Sequence, residues 1–160
     1  MKTFENPEIQ NQKRITNTIY FSLVFGLLVF FIIVIILIQD KKAEGNEDLD
    51  MIFTFLVPLI GLVVMFISRM IYNQMISKYN STISLLQKIS YYRTAKIISW
   101  AMIEGGCFLA LVATFLTSNY LYVVVFIFLF GYFLLLRPSN ESLIRDMRLN
   151  SEESDLILKS

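Results

Sequence analysis

Two residues in this sequence have side chains that could do chemistry inside an apolar setting. Glu104 and Cys107 lie three residues apart in the run SWAMIEGGCFLALVATF, which starts at Ser99. A carboxylate can carry a proton or a cation, and a thiol can act as a nucleophile if a base ionises it. No base is at hand, because the chain has no histidine. A single cysteine allows no intramolecular disulfide and no Cys/His zinc site, so neither a metal nor another cofactor is expected. Hydroxyls, acids and Cys107 do not gather at one level as a nucleophile with its base. The expectation is a protein that is not an enzyme, with Glu104 as the residue to explain.

The segments that position this acid are long and apolar. Hydrophobic residues make up 56% of the 160-residue chain and charged residues only 17%, with a net charge of +1. That balance does not suit a nucleic-acid binder. The apolar residues fall into four blocks, at about 17–38, 51–72, 97–117 and 120–136, the last being the shortest. A helix needs roughly 20 apolar residues to cross about 30 Å of hydrocarbon. Backbone amides find no water there, so the blocks are read as helices. They do not alternate as barrel strands do. The predicted fold class is therefore an all-α integral membrane protein with four transmembrane helices, and the lipid bilayer is its first partner. The first block is read as a retained span, because its apolar core is longer than a signal peptide's and QDKKAEGNEDLD follows it without a cleavage site.

Charge gives the orientation. Basic residues crowd three segments: the N-terminal tail 1–16 (Lys2, Lys13, Arg14), the link 73–96 (Lys78, Lys88, Arg93, Lys96), and the tail 137–160 (Arg137, Arg145, Arg148, Lys159). The opposite side has only Lys41 and Lys42, in an acidic loop whose spacing does not match a calcium-binding loop. Cationic loops stay on the cytoplasmic side. The reading is a bacterial-type inner (plasma) membrane with both termini in the cytoplasm. In the link, Ile76, Tyr79, Ile83, Leu86 and Ile89 recur at helical spacing. This predicts a helical link, either a platform for a partner or a continuation of the second span. In the tail, Ser139 and then Asn150 or Ser151 are predicted to cap short helices.

A helical wheel places Ser99, Gly106, Ala110, Ala113 and Thr117 opposite Glu104. Small residues on one stripe let membrane helices approach closely, so this is the predicted packing stripe of a central third span. On the other side, Glu104 lies among Ile97, Trp100, Phe108 and Leu111, about 12 Å past Lys96. Arg69, Tyr132 and Ser22 lie at reachable depths, and a hydrogen bond or ion pair to Arg69 or Tyr132 is expected.

The run AMIEGGCFLALVATFLT resembles the acid-bearing helix of rotary ATPase proteolipid subunits, which also follows a basic cytoplasmic link. The resemblance covers about seventeen residues and implies that Glu104 would carry a proton or a sodium ion. Proteolipids have glycine- and alanine-rich inner helices, whereas the first, second and fourth blocks here are bulky. The functional expectation is an accessory or scaffold subunit that assembles with itself or with other membrane proteins. The alternative is a proton- or ion-coupled transporter or channel subunit that uses Glu104.

Overall fold

The computed structural model describes residues 7–40, 46–78 and 83–159. The described residues form six α-helices: α1 (Pro7–Asp40), α2 (Glu47–Ser77), α3 (Leu85–Thr117), α4 (Leu121–Leu135), α5 (Asn140–Asp146) and α6 (Ser151–Lys159). α1, α2 and α3 are each long and apolar enough to cross a membrane. α4 has only 15 residues, about 22 Å of helix. It reaches that length only when counted with α5, from which it is bent by 74°. The bundle thus has three such helices, or four with the bent pair. The bend falls at Pro138, where the ring removes a backbone donor and the helix cannot continue.

Each long helix overshoots its apolar block. α1 and α3 begin, and α2 and α4 end, at what we term the basal end of the bundle. α3 is central and packs against α1, α2 and α4. Gly106 permits the closest approach. A Cβ there would lie 3.3 Å from Leu129 of α4 and 3.5 Å from Val64 of α2. The stripe residues Ser99, Gly106, Ala110, Ala113 and Thr117 are all buried. On the α1 side the core is aromatic. Tyr20 stacks on Phe133 at 5.5 Å and meets Trp100 at 5.2 Å. Farther along, Phe30 meets Phe108 and Phe31 stacks on Phe126, both at 5.0 Å.

The link between the second and third blocks is not one helix. α2 ends at Ser77, with the Lys78 amide donating to the Gln74 carbonyl at 3.2 Å. α3 starts at a reciprocal cap. The Gln87 amide donates to Ser84 Oγ at 3.4 Å, and the Ser84 amide donates to Gln87 Oε1 at 3.3 Å. The apolar stripe is therefore divided, with Ile76 on α2 and Leu86 and Ile89 on α3, and Tyr79 lies outside the described residues. Lys2, Lys41 and Lys42 also lie outside them.

A second small core holds the basal end. Ile9 of α1, Ile89 and Tyr92 of α3, Leu143 of α5, Met147 at the end of α5, and Ile157 of α6 are buried together. The short helices are fixed by caps as well as by burial. Ser139 Oγ accepts from the Ser142 amide at 3.1 Å, and Asn150 Oδ1 accepts from the Glu153 amide at 2.8 Å.

Candidate functional site

α3 sets the position of Glu104. Trp100, one turn before it, faces Tyr20, and Phe108, one turn after it, faces Phe30. Glu104 therefore lies on the side of α3 that faces α1, between two aromatic contacts, and is partly exposed. Among the described residues its carboxylate makes no hydrogen bond and no ion pair. The expected partners do not hold it. Arg69 and Tyr132 line a cleft at the basal end instead, and Ser22 is exposed on α1.

The reason is angular. Gly106, two residues on, lies about 200° around the helix and faces α2 and α4. Arg69 and Tyr132 belong to α2 and α4, so they are near the right depth but on the wrong side. The exterior near the acid is sparsely filled. Gly105, the next residue, is exposed, and a Cβ there would meet nothing within 4 Å. Cys107 is fully buried. Among the described residues no group of acids or cysteines could hold a metal ion.

Two polar clusters that the sequence did not reveal lie at the bundle's ends. At the apical end, Asp50 gathers the start of α2 to the α3–α4 turn. Its carboxylate accepts from Asn119 Nδ2 at 3.0 Å and from Tyr122 Oη at 2.6 Å. At the basal end, Lys88 of α3 reaches Glu153 of α6 at 2.7 Å, while Lys13 Nζ donates to the Ile157 carbonyl at 3.0 Å. Arg93 donates to Gln12, which ties α3 to α1. The Lys88–Glu153 pair joins residues 65 apart, and no local pattern signals such a contact.

Glu153 gives a pH test. Burial alone would push its carboxyl up, but the hydrogen bonds from Lys88 and from the Asn150 backbone outweigh it and hold the carboxyl below its ordinary range. A carboxylate depressed in the folded state contributes stability that is full above its unfolded value, about 4.3, and is lost as pH falls through the folded value. The protection factors of the α6 amides, that is, exchange relative to the free-amide rate at the same pH, should therefore fall on acidification below about pH 4. Lys88→Met should speed exchange at neutral pH and flatten this acid dependence. If acid leaves α6 protection factors unchanged in the unmodified protein, the pair does not hold that helix.

The basal cleft measures about 580 Å³ and lies where α2, α3 and α4 meet α5. Lys96 lines it and is only 8% exposed. Its ammonium sits over the rings of Tyr72 and Tyr92, at 4.8 and 5.5 Å. It makes no hydrogen bond or ion pair among the described residues. The nearby Asp146 is already engaged, accepting from Tyr72 Oη at 2.5 Å and pairing with Arg145 at 3.0 Å.

These features define a class, a small all-helical bundle with three apolar helices, or four with the bent pair, of membrane-crossing length. Within that class no particular protein stands beside it: no family model, curated protein or solved structure matches the chain.

Proposed function

We propose that the chain is a four-span protein of a bacterial-type inner membrane, with both ends cytoplasmic, whose task is assembly rather than catalysis. Its outward surface supports the membrane reading. Phe25, Phe55, Phe66 and Leu135 are 68%, 78%, 72% and 82% exposed, on three different helices. Such a belt belongs in hydrocarbon, not in water. α4 supplies the fourth and shortest crossing, with α5 turned away from it by 74° at the basal end, and the basic overhangs then lie on the cytoplasmic side.

The observation that carries the assembly reading is the unpaired Glu104. An acid at this depth is unfavourable by about 3 kcal/mol on insertion scales and is ordinarily directed at a partner. The chain itself supplies none among its described residues. The missing contact then comes from a membrane helix of a second copy or of another protein, laid on the open face of α3 at Gly105, beside the acid. Reporter fusions test the frame. Fusions at both ends should report cytoplasm and a fusion after Ser118 should report the outside. A terminus found outside would overturn the topology, and extraction as a single chain in mild detergent would overturn the assembly.

A further inference from the structure

The geometry points to a binding site for one anionic phospholipid, its phosphate held in the basal cleft and one acyl chain lying in the groove between α2 and α4. The inference rests on the membrane reading above and adds a ligand to it.

The first observation is Lys96, a cation nine-tenths buried with no anion of its own among the described residues. Burial pushes its ammonium below its ordinary pKa, an effect that Asp146 opposes and Arg145 reinforces. A buried charge of this kind is stabilised by an anion brought to it. The second is the charge balance of the lining. Arg69, Arg137 and Arg145 join Lys96, against the carboxylates of Glu141 and Asp146. Asp146 is satisfied by Tyr72 and Arg145, and the Arg137 guanidinium lies over the Phe21 ring at 5.6 Å, which leaves Lys96 and Arg69, opposed by Glu141 alone, for a ligand. Ser99 and Tyr132 add neutral hydroxyls to the lining.

The third observation separates a lipid from a soluble phosphate. Met65 lies one turn, about 6 Å, deeper than Arg69 on α2. It begins a wholly apolar groove of about 270 Å³, formed by Pro58, Gly61 and Met65 with Val125, Phe128 and Leu129. Cations at the membrane boundary, with an apolar furrow starting one helical turn deeper on the same two helices, match a headgroup and its acyl chain. They do not match an inorganic anion, which needs no furrow.

The test uses the full chain in phosphatidylcholine nanodiscs containing a minor fraction of phosphatidylglycerol. Lipids released with the protein are counted by native mass spectrometry. Phosphatidylglycerol should be retained about tenfold over its share of the bilayer. Lys96→Gln should abolish most of that enrichment. Arg69→Gln should reduce it several-fold, and because Arg69 is exposed this variant remains informative if Lys96→Gln misfolds. Millimolar glycerol phosphate should not compete. Enrichment that is absent, or unchanged in Arg69→Gln and Lys96→Gln alike, overturns the site. Competition by glycerol phosphate overturns the lipid as its occupant. A chain that fails to enter the nanodiscs sinks the membrane reading itself, whereas entry without enrichment sinks only the lipid site.

Discussion

Replacing Trp100 with alanine should destabilise the bundle by about 3–5 kcal/mol, the range for emptying a buried large aromatic site. The indole is fully buried on α3. It packs against Tyr20 of α1, which stacks in turn on Phe133 of α4. Its Nε1 donates to the Leu136 carbonyl at 3.1 Å, and Tyr20 Oη donates to the Leu134 carbonyl at 3.2 Å. Those carbonyls lie at the C-terminal end of α4 and its cap, where the regular intrahelical ladder stops and the Leu134 carbonyl keeps only short-range backbone donors such as the Arg137 amide at 3.3 Å. Trp100 and Tyr20 therefore close the end of the short helix as well as filling the core between three helices. Trp100→Phe separates the two roles. It keeps a ring against Tyr20 and leaves the Leu136 carbonyl without its donor, for a loss of about 1–3 kcal/mol. Denaturant unfolding in micelles would measure both. Equal losses in the two variants would mean that the hydrogen bond, not the packing, holds the junction.

The sequence discloses this architecture unevenly, and the reasons are physical. Apolar blocks of about 20 residues show because each is continuous in the sequence and matches the length a helix needs to cross hydrocarbon. The helix starts at Ser139 and Asn150 show because a cap is a local hydrogen bond between residues three apart. The start at Ser84 has the same signature, Ser-Leu-Leu-Gln, but the apolar stripe running through residues 76–89 masks it. The orientation of α3 shows in part. Small residues opposite Glu104 mark the side that approaches other helices, and Gly106 does sit against Leu129 and Val64. What a wheel cannot give is which neighbour stands on which side. Depth matched Arg69 and Tyr132 to Glu104, while azimuth sent them elsewhere. Lys96 was concealed for a related reason. A lysine just outside an apolar block reads as a surface anchor, and only the fold of α5 over the basal end buries it.

Glu104→Leu should leave the isolated chain folded while removing the lateral complex. Both halves follow from one fact, that the carboxylate has no partner among the described residues. No internal bond is lost, and the insertion penalty of about 3 kcal/mol disappears, so unfolding resistance in micelles should hold or rise. A complex that depends on a hydrogen bond from position 104 should fall to the single chain when extracted in mild detergent. Glu104→Gln keeps a donor and an acceptor at nearly the same volume, and interhelical amide bonds hold membrane helices together. It should preserve most of the complex. The pair of variants also separates assembly from ion carriage. An amide can bond across an interface, but it cannot take up and release a proton at physiological pH. If Gln is as damaging as Leu, and the unmodified protein conducts protons in liposomes until a carbodiimide blocks Glu104, the acid is a carrier and the assembly reading fails. If Gln assembles and Leu does not, with no flux in either, the acid is a contact. A Leu variant that retains the complete complex would place the interface on another face of the bundle.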